Sequence, residues 1–286
     1  TMGKKKVSYN LKGDTVNIAS RMEATCGVGE INISVMTYEM VREYFVCEYF
    51  GKMPVKYKGD IDMYYVKGIN PELSIDGNGI NPNNHFITKY LLRQFSDLQE
   101  IVLDALEKGL PEYLYYHNVK HTIDVTSQVE LIGIGEGVND EEMLLLKTAA
   151  LFHDFGHTIG YEEHEYHGTQ LARKMLPNYK YTQEQIEKIC ELIMVTKLPP
   201  TPKTKLEKIM CDADLDYLGR SDFIPVSNTL YEELKAQDKI EDLNAWNKLQ
   251  VKFISMHQYF TDTANNLREV NKQKQIERIK QLIHDE

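Results

Sequence analysis

Apolar residues recur at three-to-four spacing over 87–108, 113–132, 140–155, 183–195, 204–218, 228–236, 243–260 and 262–284. That is the period of helices that bury one face. Breakers fall between these stretches, at Gly109-Leu110-Pro111, Gly133 to Gly137, Gly156 to Gly160, Leu198 to Pro202 and Gly219, so the pattern predicts an all-α domain of about 200 residues. The chain before it is patterned differently. It reads as helical over 14–25 and 36–46, alternates at Ile31–Val35, and is β-rich over 47–66 between Gly51, Gly59 and Gly68. So few elements make an α+β piece with a marginal core of its own. Between the two lies SIDGNGINPNNH, a run of Gly, Asn, Asp and Pro with the composition of a linker. The predicted division is 1–73, a linker over 74–86, and a helical domain over 87–286.

Charge narrows the partners. The 286 residues carry 33 Lys+Arg against 43 Asp+Glu, a net −10, and the acidic excess lies after residue 86. A negative field disfavours nucleic acid and anionic membrane surfaces, so neither is expected as a partner. No apolar run approaches the roughly 20 residues of a membrane span, and the basic Lys4-Lys5-Lys6 has no apolar stretch behind it. Cys26, Cys47, Cys190 and Cys211 lack metal-knuckle spacing and read as reduced thiols of a cytoplasmic protein.

The chemistry concentrates in the helical part. Six of the nine histidines, His117, His121, His153, His157, His164 and His167, fall within one short window. His117 and His121 are four apart in YYHNVKHTIDV, a spacing that places both on one helix face with Asp124 a turn further on. A His pair alone is more often a surface or core feature than a ligand pair. However, LFHDFGH ends an apolar helix with adjacent His153-Asp154, and burying those groups beside LLLKTAALF is costly unless they are paired or hold a cation. EEHEYHG adds His164 and His167, and CDADLD adds carboxylates after another helix. Nitrogens mixed with carboxylates suit Mn, Fe, Ni or Zn, whereas Ca prefers oxygen alone.

The order His121, then His153-Asp154, then Asp214 on successive helices resembles the HD superfamily of metal-dependent phosphohydrolases. YHNVKHTIDV is similar to the corresponding run of the class I cyclic-nucleotide phosphodiesterases. The likeness covers roughly 112–220. It implies one or two divalent ions (Mn, Fe, Ni, Zn or Mg) per domain: His121, His153, Asp154 and Asp214 ligate the first, and where there is a second, Asp154 is placed to bridge to it and His164 to bind it. Asp214 is preferred to Asp212 because the family's last ligand sits in an Ala-Asp-Leu-like context. His117 is the implied proton donor and His157 faces the site. The substrate implied is a small phosphoester, phosphodiester or nucleotide. The glutamine and aromatic arrangement that clamps a purine in the animal phosphodiesterases is not located by its motif. Phe253 to Thr261 and Arg268 form a polar-aromatic stretch that either lines the pocket or is an amphipathic terminal helix pair.

Residues 8–69 resemble instead the late part of a class III nucleotidyl cyclase catalytic domain, through GDTVNIASRME and KGDIDMYYVKG. The resemblance makes Asn17 and Arg21 a ribose- and phosphate-contacting pair. It places Asn10 where the base is discriminated and hints at a homodimer. The metal-binding aspartates of such a domain precede this stretch, so the residues present are not expected to cyclise a nucleotide unaided. Two rival readings are a signalling protein whose helical domain senses a ligand, and a parent nucleotidyl cyclase with a regulatory helical part.

Overall fold

The computed structural model describes residues 13–55 and 59–284; Asn10 and the basic N-terminal residues lie outside them. It divides into two compact units, Thr1–Ile87 and Thr88–Glu286.

The first unit holds helix α1 (Asp14–Thr25), strand β1 (Ile31–Ser34), helix α2 (Val35–Val41), and strands β2 (Phe45–Val55) and β3 (Gly59–Ile69). The sheet is antiparallel in the order β1-β3-β2. Its core is small, with Met22, Met53 and Met63 in one cluster and Tyr44, Ile69 and Leu73 in another. The α+β expectation therefore holds. The Gly/Asn-rich run is a hydrogen-bonded turn: Ser74 bridges Pro82, Ser74 Oγ accepts from Gly79 N at 3.0 Å, and Asn83 Oδ1 accepts from Phe86 N at 3.0 Å.

The second unit is helical. It contains α3 (Asn84–Gly109) from Thr88 onward, then α4 (Val119–Gly135), α5 (Asp140–Phe152), α6 (His164–Met175), α7 (Gln183–Met194), α8 (Lys205–Asp214), α9 (Phe223–Ala236), α10 (Leu243–Met256) and α11 (Asp262–Lys280). Helix α5 is central. Leu144, Leu146, Ala149, Ala150, Leu151 and Phe152 are all fully buried, and each large apolar side chain contributes about 1.5–3 kcal/mol. A capping box between Asn139 and Glu142 starts the helix. Helices α4, α7 and α8 pack against it, so the C-terminal end of α5 emerges among its neighbours with its last polar residues inside the protein.

Candidate metal centre

His153 and Asp154 follow the last turn of α5, His121 lies in the first turn of α4, and Asp214 is the last residue of α8. Three helix ends thus deliver four side chains to one point. His153 Nε2 lies 3.4 Å from His121 Nε2, 3.2 Å from Asp154 Oδ2 and 3.4 Å from Asp214 Oδ1. His121 Nε2 lies 3.4 Å from Asp154 Oδ2 and 3.2 Å from Asp214 Oδ1. All four side chains are largely buried.

The donor set fits a cation. His153 Nδ1 donates to the Ala150 carbonyl at 2.7 Å, which leaves Nε2 facing two carboxylates and a second imidazole nitrogen. Burial works against charge on His153, but Asp154 and Asp214 outweigh it and hold the ring well above the usual imidazole range. Burial likewise works to raise Asp214, but hydrogen bonds from His121 and His153 hold its carboxyl below the usual range. The point favours positive charge. Asp154 Oδ2 is buried without a hydrogen-bond partner among the described residues. Ligand atoms of His121, His153 and Asp214, and separately of His117, Asp154 and His157, lie within 4.8 Å of one another, so either group can hold a metal ion.

A second histidine cluster surrounds the other oxygen of Asp154. His164 Nε2 lies 3.5 Å and His157 Nε2 3.9 Å from Asp154 Oδ1, and the two rings stack at 3.9 Å. His164 Nδ1 donates to the Tyr161 carbonyl at 3.2 Å, leaving its Nε2 toward Asp154. Neither ring nitrogen of His157 has a hydrogen-bond partner among the described residues; burial pushes this imidazole down to about 3. Gly156 makes the approach possible, since a Cβ there would sit 1.9 Å from the His164 carbonyl oxygen. His167 belongs to neither group.

His117 departs from expectation. It precedes the helix, because Asn118 is the N-cap of α4 and accepts from His121 N at 3.2 Å; the shared helix face predicted for His117 and His121 does not exist. What holds His117 is Glu233 of α9, a fully buried carboxylate. It accepts from His117 Nδ1 at 2.5 Å and from the backbone N–H groups of Tyr116 and His117 at 2.9 and 3.1 Å. Burial works to lower His117, but Glu233 and Asp154 prevail and raise it. Sequence reading missed Glu233, which stands in the ordinary amphipathic run LYEELK. Asp124 also differs from expectation, pairing with Lys120 at 2.8 Å and Arg220 at 3.2 Å.

A cavity of about 340 Å³ opens from Asp214, His117 and His164 and is walled by Tyr161, Trp246, Gln250 and Phe253 with several leucines. Gln250 and Phe253 lie one turn apart on α10. Gln250 did not stand out in the sequence, because it is one polar residue among several on an amphipathic helix. Its amide is oriented, since Oε1 accepts from Ser227 Oγ, which itself accepts from Trp246 Nε1 at 3.3 Å. Arg268 is elsewhere: its Nε donates to Asp216 Oδ1 at 2.7 Å. Asn17 and Arg21 are exposed on α1, and Arg21 Nη1 donates to the Pro54 carbonyl at 3.2 Å.

Similarity to known proteins follows the same division. Residues 118–216 match the HD domain family, and residues 1–68 match the adenylate and guanylate cyclase catalytic domain. The chain carries a cyclase-domain segment followed by an HD domain. Over the matched stretch it is 42% identical to a membrane guanylyl cyclase of Dictyostelium discoideum, covering 23% of this chain and 4% of that protein. An adenylate cyclase of Mycobacterium bovis is 39% identical over 23% of this chain and 15% of its own length. An uncharacterized protein of Clostridium beijerinckii is 33% identical, covering 29% of this chain and 64% of the other. The chain thus spans less than two thirds of each of these relatives. Bacillus subtilis YpgQ, solved in complex with ADP, shares the fold at 20% identity with a TM-score of 0.50, covering 67% of this chain and 94% of that one.

Proposed function

We propose that the helical domain is a metal-dependent phosphohydrolase acting on a phosphodiester with a single phosphoryl group and a planar ring, the class to which cyclic nucleotides belong. The observation that carries this reading is the junction of the His121, His153, Asp154 and Asp214 cluster with an apolar, aromatic cavity. No Lys or Arg stands among the lining residues. The phosphoryl charge is met at the metal end, and the rest of the ligand is uncharged. Phe253 and Trp246 suit a flat ring, and the oriented Gln250 amide offers it a hydrogen bond.

A divalent ion held by those four side chains would supply Lewis acidity toward the phosphoryl oxygens and the attacking water. His117 is the proposed acid. Glu233 accepts a hydrogen bond from His117 Nδ1–H, which keeps the ring in one orientation and favours its protonated form, whose Nε2–H passes a proton to the departing oxygen. His157 and His164, on the other side of Asp154, are proposed to serve a second ion.

YpgQ suggests a nucleoside polyphosphate instead. Without basic side chains on the wall, the additional phosphate charges of such a ligand have no partner. Hydrolysis by the metal-replete full chain separates the readings. Turnover of cyclic mononucleotides and bis(p-nitrophenyl) phosphate well above that of ADP is expected, and preference for ADP would overturn the assignment.

A further inference from the structure

Tyr161 and Lys239 meet where the wall of the aromatic cavity reaches solvent. Tyr161 lies in the turn between His157 and α6, half-buried, and lines that cavity with His117 and His164. Lys239 follows α9, the helix that carries Glu233 and gives Leu230 and Leu234 to the same wall. It is exposed and is not among the lining residues. Its Nζ stands over the Tyr161 ring, 3.5 Å from the centroid, and 3.8 Å from Glu162 Oε1. One surface ammonium thus joins the segment bearing the second histidine cluster to the helix that holds His117.

Both ends of this contact are tied into the site. The Tyr161 carbonyl accepts from His164 Nδ1 at 3.2 Å, and the Tyr161 ring stands 5.3 Å from that of His157. On the other side, the Lys239 backbone N–H donates to the Leu234 carbonyl at 2.9 Å, and Gln237 Nε2 donates to the Glu233 carbonyl at 3.2 Å. The turn that carries Tyr161 is the less secure partner. Glu163 adopts φ 54°, a left-handed conformation that is costly for a residue other than glycine, so the turn relies on the contacts of its side chains. An ammonium over an aromatic ring at the surface is a modest attraction. Its effect here is preorganisation, because a wall side chain that is already fixed loses less freedom when a ligand packs against it.

We propose that Lys239 is a positioning residue that fixes Tyr161 as a wall for the ring of the ligand. The inference rests on the assignment of this cavity to the substrate and names a determinant of affinity within it. The test uses Trp246, which is the chain's one tryptophan and lines the same cavity. Its fluorescence is followed in the metal-replete full chain during titration with ADP and with a hydrolysis-resistant phosphorothioate of cyclic AMP. Lys239→Met, which keeps the apolar stem and removes the charge, should weaken nucleotide binding by about two- to fivefold, the strength of an exposed cation–π contact. KM for the nucleotide that is turned over should rise by the same factor, with kcat and metal content unchanged. Lys239→Arg should restore affinity, and Lys239→Met should add no further loss in a Tyr161→Leu background. Undiminished affinity in Lys239→Met, no rescue by arginine, additive losses in the double variant, or no saturable response of the folded wild type to either nucleotide overturns the proposal. Binding that responds to these variants as expected, with ADP hydrolysed and the cyclic nucleotide not, supports it and overturns only the reaction assigned above.

Discussion

Asp212 accepts from the backbone N–H groups of Phe260 and Thr261, at 2.9 and 2.8 Å, and from Thr261 Oγ at 2.7 Å, so it ties the start of α11 to α8. Asp214, two residues on, faces His121 and His153. The two carboxylates should therefore separate by assay. Asp214→Ala should lose metal and turnover. Asp212→Ala should retain metal but lower the thermal midpoint, because it leaves buried donors unpaired at a cost of about 2–4 kcal/mol. Metal content and melting measured on both variants check this, and metal loss in folded Asp212→Ala alone would reverse the assignment. His117→Ala should keep the metal and slow hydrolysis by about 10²–10⁴. The loss should shrink for a nitrophenolate leaving group, which departs without a proton. Equal losses on good and poor leaving groups would reduce His117 to positioning.

At the scale of elements, most helices were legible because their apolar periodicity faces one core. The exceptions have local causes. Residues 113–118 read as the start of a helix, yet Asn118 prefers the cap, so α4 begins at Val119. Helix α9 begins at Phe223, earlier than the periodicity indicated. Pro225 falls in its first turn, where the missing N–H costs nothing. The segment after α10 carries a further consequence. His257 caps that helix with both ring nitrogens buried and unpartnered among the described residues. It faces the Tyr259 ring at 4.6 Å, with Lys272 on its carbonyl at 2.8 Å and Glu269 paired to that lysine at 2.8 Å. Burial, then Lys272, pushes its pKa down to about 4. The unfolded chain binds this proton near the ordinary histidine value and the folded chain does not, so stability is full above that value and falls as pH drops toward 4. His257→Gln should abolish about 1–3 kcal/mol of the acid-side loss when melting is compared between roughly pH 7.5 and roughly pH 5. Parallel melting curves for variant and wild type would show that His257 is not the titrating group.

For the whole molecule, the ligand order along the chain was readable because an HD-type centre is built from short motifs at helix ends. Glu233, Gln250 and Trp246 were not, since each is a single side chain on an otherwise ordinary amphipathic helix and acquires its role only through packing. No helix among the described residues is long and apolar enough to cross a membrane. Every proposed ligand follows α3, so a fragment beginning at Asn84 is expected to fold and bind metal alone. An insoluble or metal-free fragment beside a soluble, metal-loaded full chain would contradict that. The central claim is tested most directly by elemental analysis paired with phosphodiester hydrolysis on the full chain and its Asp154→Ala variant. Among the described residues, Asp154 is the carboxylate that lies against both histidine clusters. The wild type should carry divalent metal and turn over substrate, and folded Asp154→Ala should do neither; a variant with undiminished metal and hydrolysis would contradict the account.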